Sequence, residues 1–103
     1  MQASPGQAVT VHTLDGDPSD LLSRKEQYFD PIVRRIAPEY GCIASVTTQT
    51  ETGLMIVNTW ESADRVPAFT AHPEIQAASS AAQLPQPSSF QRYEQASIDL
   101  FRP

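Results

Sequence analysis

The sequence is short of the residues that build most covalent and cofactor sites. It has one cysteine, Cys42, among 103 residues. An internal disulfide is excluded, and this chain alone cannot form a thiolate metal site. That usage fits a reducing compartment, so a cytoplasmic location is expected. Four scattered glycines cannot form a phosphate-cradling loop. Histidine occurs only at His12 and His72, and no His/Asp/Glu grouping has metal-ligand spacing. No serine-centred nucleophile elbow occurs. An enzyme built from this chain is expected to need no flavin, nicotinamide or metal. No apolar run approaches the roughly 20 residues of a membrane span, so no membrane partner is expected. Residues 1–6 lack the basic and apolar regions of a secretion signal. Seven Lys and Arg against twelve Asp and Glu leave a net charge of −5. The basic residues are scattered, so a nucleic-acid backbone would be repelled and is not an expected partner.

What the chain does have is a firmly punctuated order of elements. The stretch Gly53 to Trp60 is apolar on both faces and reads as a central strand. Leu54, Ile56, Asn58 and Trp60 share one of its faces, and Met55, Val57 and Thr59 the other. Asn58 sits among apolar neighbours. An unpaired buried amide costs roughly 1–3 kcal/mol, so it needs a partner in backbone, water or ligand.

Upstream, Gln7 to Leu14 alternates as a first strand, with Val9, Val11 and Thr13 on one face and Thr10, His12 and Leu14 on the other. Asp17 then caps a helix that Pro18 opens. Its apolar stripe is Leu21, Leu22, Tyr28, Phe29, Ile32, Val33 and Ile36. Pro31 predicts a kink or break near Asp30. Cys42 to Thr50 is a second strand, joined to the central one by a hairpin. After Trp60 a helix is expected with Asp64 as its cap, because a Ser62 cap would bury Pro67 too deeply. His72-Pro73 breaks it, and a second helix from Pro73 carries Ile75, Ala78 and Ala82 as an apolar edge. Phe90 to Phe101 alternates as a fourth strand.

The order β-α-β-β-α-β predicts an α+β, ferredoxin-like domain over residues 7–103. A four-stranded antiparallel sheet would carry helices on one face, behind a flexible tail at 1–6. Two helices cover only one face. The apolar residues of the other, Met55 and Val57 foremost, predict a homodimer through the open sheet.

The run Gly53-Leu-Met-Ile-Val-Asn-Thr-Trp-Glu-Ser62, followed by Phe69-Thr-Ala-His-Pro-Glu-Ile-Gln76, resembles the antibiotic-biosynthesis-monooxygenase family of dimeric α+β barrels. The resemblance covers nearly the whole chain after residue 7. It implies a pocket between sheet and helices in each subunit, a small aromatic ligand and chemistry without a cofactor. Trp60 matches the tryptophan that ends the third strand in many members. Quinone-forming members place an asparagine four residues before it, where this chain has Ile56 and carries Asn58 nearby instead. Haem-degrading members have a tryptophan and a histidine where this chain has Phe69 and Ser79, so haem degradation is not expected.

Several residues carry two readings. Trp60 lines a pocket or plugs the sheet end. Asn58 is a satisfied core amide or an oxyanion donor. His12 is a general base or an edge histidine; His72 is a second base or a helix cap. Tyr28, Phe29, Ile56 and Phe69 are core residues or pocket walls, and Arg92 holds a ligand anion or a surface carboxylate. Cys42, with no adjacent base, reads as a small buried hydrophobe. Catalytic candidates are thus His12, Asn58, Trp60 and His72, with Tyr28, Phe29, Ile56, Phe69 and Arg92 for substrate. The expected function is a cofactor-independent monooxygenase-like enzyme for an aromatic or polyketide-type molecule. A cyclase or isomerase with the same pocket, and a non-catalytic dimeric ligand-binding module, stand beside it.

Overall fold

Four antiparallel strands form one sheet in the order β2-β3-β1-β4. The computed structural model describes residues 7–94. The strands are β1 (Ala8–Asp15), β2 (Cys42–Gln49), β3 (Gly53–Trp60) and β4 (Ser89–Glu94). The central pair β1 and β3 is joined in continuous register from Ala8 opposite Trp60 to Asp15 opposite Gly53. This is the ferredoxin-like arrangement expected from the element order. The tail at 1–6 and the proposed extension of the last strand from 95 to Phe101 lie outside the described residues.

The first helix is where sequence and structure part most usefully. It runs as α1 (Pro18–Arg24), a π-turn (Lys25–Phe29), α2 (Asp30–Ile36) and a closing 3-10 turn (Ala37–Tyr40). Pro31 has no N–H, and in an α-helix its ring would strike the carbonyl four residues back. The helix neither breaks nor simply bends. It widens by one residue, and the Asp30 N–H bonds to the Lys25 carbonyl five back. Tyr28, inside this wide turn, is 45% exposed although a 3.6-residue spacing placed it inward. Gly41, at φ 83°, ends the element in the left-handed region that glycine tolerates.

The second helical region also differs in detail. The side chain of Ser62, not Asp64, accepts the first cap bond, from the Asp64 N–H. A 3-10 turn at Ala63–Arg65 takes up the extra residues, so α3 (Val66–Thr70) still starts with Pro67 in its first turn. Helix α4 (Pro73–Ala81) buries Ile75 and Ala78, with Ala82 just beyond its end. Arg24 donates to the Ala82 and Gln83 carbonyls, at 2.9 and 2.5 Å, tying the end of α4 to α1.

All helices lie against one sheet face. Two apolar clusters form beneath them: Leu14, Leu21, Leu54 and Ile56 at one end, and Ile36, Trp60, Val66, Phe69 and Ile75 at the other. On the uncovered face, Val11 lies opposite Val57 and Val57 opposite Val46, an apolar line across three strands. Among the described residues no helix is long and apolar enough to cross a membrane.

Gly53 is required by this packing. A Cβ there would lie 1.8 Å from the Leu14 carbonyl oxygen, a backbone atom that cannot swing away. Gly53→Ala should cost at least about 2 kcal/mol in urea unfolding, by forcing β3 off β1. Unchanged stability would show that the two strands do not approach as described.

Candidate functional site

Between the two core clusters lies a cavity of about 140 Å³, under the sheet and closed by the helices. An engineered apolar cavity of roughly 150 Å³ accepts a benzene molecule, so the enclosed part takes about one aromatic ring. Leu14, Ile56 and Trp60 form the sheet wall, and Phe29, Val33 and Phe69 the helical wall. Leu84, Pro85 and Pro87 of the loop before β4 close one side. That loop is pinned where the Ser88 N–H donates to the Thr13 carbonyl at 2.8 Å.

The polar groups in this apolar setting are few, and strand register brings them together. Residues directly opposite on antiparallel strands share a face. Thr10 faces Asn58, Asn58 faces Ser45, and His12 faces Ile56. All therefore point toward the helices. Diagonally across the pair, the Asn58 Nδ2 lies 3.4 Å from His12 Nε2. With the amide in this orientation Nδ2 donates and Nε2 accepts, the arrangement of the Nδ1-protonated tautomer. At 3.4 Å this bond is long and readily exchanged for a better one. The imidazole and the Phe90 ring pack edge to face, with centroids 5.1 Å apart.

Lys25 is the unexpected member. Its side chain is only 6% exposed, and its Nζ donates to Asp30 Oδ1 at 2.7 Å and Thr47 Oγ1 at 2.9 Å. The π-turn explains the pair, since residues five apart stack along such a turn. Burial of the imidazole, and secondarily the Lys25 charge, hold the His12 pKa below its usual 6.5. His12 is therefore neutral at pH 7, with a lone pair to offer. Burial pushes the Cys42 thiol up, so that group stays protonated.

The structure brings together His12, Asn58, Trp60, Phe29, Ile56 and Phe69 from the residues singled out in the sequence. It does not bring in three others. His72 caps α4, its Nδ1 accepting from the Glu74 N–H at 3.1 Å, and it packs on Tyr40 outside the cavity. Tyr28 is turned outward by the π-turn. Arg92 lines a separate cleft with Gln7, Ala8 and Ala63. Trp60 is 1% exposed, and its indole N–H is already given to Thr10 Oγ1 at 3.0 Å. With that N–H committed, Trp60, one of the catalytic candidates, serves as cavity wall. Sequence reasoning missed Thr10, Lys25, Asp30, Ser45 and Thr47. A signal for Lys25 was present: it stands four residues from both Leu21 and Phe29, a charge inside the apolar stripe. Among the described residues no group of three His, Cys, Asp or Glu is placed to hold a metal.

No protein-family model matches the chain, and no curated protein matches it. Solved structures do. One from Caulobacter crescentus, described provisionally as an antibiotic biosynthesis monooxygenase, superposes with a TM-score of 0.70 at 17% identity, over 88% of this chain and 91% of that one. A structure from Chloroflexus aurantiacus with the same provisional description gives 0.65 at 14%, over 93% and 99%. A dimeric protein of unknown function and ferredoxin-like fold from Bacteroides fragilis gives 0.59 at 17%, over 86% and 96%.

A direct check of the site is the titration of His12 by NMR. Its midpoint should fall below 6.5. Lys25→Met should raise it toward that value without reaching it, because burial is the larger cause. The sign for stability follows. A depressed pKa makes the neutral form's contribution full above 6.5 and lost as pH falls through the folded-state pKa. A midpoint at or above 6.5 would contradict the buried placement. At these identities the likeness fixes the fold: the chain has the ferredoxin-like α+β fold of structures described as antibiotic-biosynthesis-monooxygenase-like.

Proposed function

We propose that this protein is a cofactor-independent monooxygenase-like enzyme acting on an aromatic or polyketide-type small molecule. The observation that carries the proposal is the pairing of a neutral His12 with Asn58 inside a largely apolar, ring-sized cavity. A substrate hydroxyl entering between them would give its proton to Nε2, and its oxygen would receive the Asn58 N–H. The resulting phenolate or enolate is electron-rich enough to reduce oxygen at an activated carbon. A CH₂ flanked by aromatic rings then becomes C=O. One oxygen atom enters the product, and the other leaves as water with the two hydrogens removed. Phe29, Phe69 and Trp60 would hold the ring and exclude bulk water.

The same proton abstraction without oxygen is isomerase or cyclase chemistry, and both versions need the same two residues. Homodimerisation through the open sheet face, along the Val46, Val57 and Val11 line, belongs to this proposal. The dimeric description of the Bacteroides fragilis structure supports it. Cytoplasmic residence is proposed from the cysteine usage alone.

Oxygen uptake tests the reading, with one-ring phenols, naphthols and anthrones offered to chelator-treated protein. Turnover should fall by a factor of about 100 or more in His12→Ala and about 10 or more in Asn58→Ala. Trp60→Phe should lose less. Product formation without oxygen consumption would favour the isomerase or cyclase version. Binding without turnover would favour the non-catalytic ligand-binding module, and no binding of any of these ligands would overturn the reading.

A further inference from the structure

At its Lys25 end the cavity adjoins a second hollow of about 240 Å³: Lys25, Asp30, Val33 and Ser45 line both, and Arg34 and Thr47 also contribute to the second. Since the inner cavity takes about one ring, this neighbouring hollow, the vestibule, is the space beside it for a larger ligand's polar end.

The vestibule has a definite charge. Lys25 and Asp30 neutralise one another at 2.7 Å. Arg34 makes no hydrogen bond or ion pair among the described residues, whereas its neighbour Arg35 is held by Glu74 at 2.6 Å. One positive charge without an ion-pair partner among the described residues therefore lines the vestibule, in a chain whose net charge is −5. The hydroxyls point to the same polarity. Thr47 Oγ1 accepts from Lys25, which leaves its proton to be donated outward, and Ser45 stands two residues away on the same strand face. A guanidinium with flanking hydroxyl donors suits a planar, acceptor-only group bound through both oxygens. One free cation balances one negative charge. A phosphate monoester brings about two and would leave one beside Asp30.

We infer that the ligand of this site is an aromatic carboxylic acid, with its ring in the inner cavity and its carboxylate on Arg34 in the vestibule. The inference rests on the proposed reading of the cavity as a small aromatic molecule's site and adds the charge that selects among such molecules. Arg34 is exposed on α2 and outside the core, so its replacement leaves the fold intact.

The test uses the sole tryptophan. Trp60 gives a single indole N–H resonance, and that group lies at the cavity wall. Its shift is followed while benzoate, phenylacetate and 3-phenylpropanoate are titrated in, each beside its primary amide, at low salt. For at least one chain length the acid should bind roughly tenfold tighter than the amide, as a charge-assisted pair allows. Arg34→Gln should abolish that preference, and Arg35→Gln should keep it. Acid and amide binding alike to the wild type would overturn the inference and leave the aromatic site standing. A preference that survives in Arg34→Gln would equally overturn the assignment to the vestibule. If neither acid nor amide moves the Trp60 resonance, the aromatic-site reading falls and this inference falls with it.

Discussion

Pro31 has no N–H to give, and the position of the site's charged groups follows from how the first helix meets that constraint. A straight α-helix through Pro31 loses a hydrogen bond and drives the ring into a carbonyl, at a cost of about 3 kcal/mol. The single wide turn at Lys25–Phe29 removes the clash while keeping the helix on its path. It also places Lys25 and Asp30 one above the other, facing β2 rather than solvent. A local backbone problem thereby becomes a buried ion pair at the edge of a cavity.

Such a pair is poor evidence of stabilisation. Desolvating two charges costs several kcal/mol per ion before their attraction returns any of it. What the pair does supply is its positive Lys25 end near His12, in a setting where burial already disfavours imidazolium. Both effects act in one direction and leave a neutral nitrogen base at pH 7. The sheet supplies the other half. Because β1 and β3 pair in register, His12 and Asn58 fall two residues apart across the ladder, on the face that the helices cover. Base, amide and ring-sized apolar space are thus products of one proline and one strand register.

The parts of this account that the sequence made legible are those with local causes. Gly53 and Trp60 bound β3 because the glycine cannot carry a Cβ there and the indole seals the sheet end. Alternation put His12 and Asn58 on the same faces as Leu14 and Trp60. Their mutual contact was not legible, because it depends on which strand neighbours β1 and in what register. Tyr28 was misplaced because a 3.6-residue count cannot foresee an inserted residue. Lys25 was passed over for a similar reason: a lysine within an apolar stripe reads as a solvated interruption until Asp30 and Thr47 are seen around it. The Ser62 cap was misread because a 3-10 turn absorbs residues that an α-helix would not. His72 was legible in one of its two readings, the cap. Arg92 sits on the last strand as expected, yet its cleft is a different one.

Everything proposed about chemistry depends on His12 taking a proton from a bound ligand, whether or not oxygen follows. That step can be observed alone. An anthrone is mixed with protein under argon in deuterated buffer, and exchange of its acidic CH₂ protons is followed by NMR. The account predicts that the wild type accelerates exchange well above the buffer rate and that His12→Ala returns it to that rate. Exchange in folded His12→Ala as fast as in the wild type would contradict it.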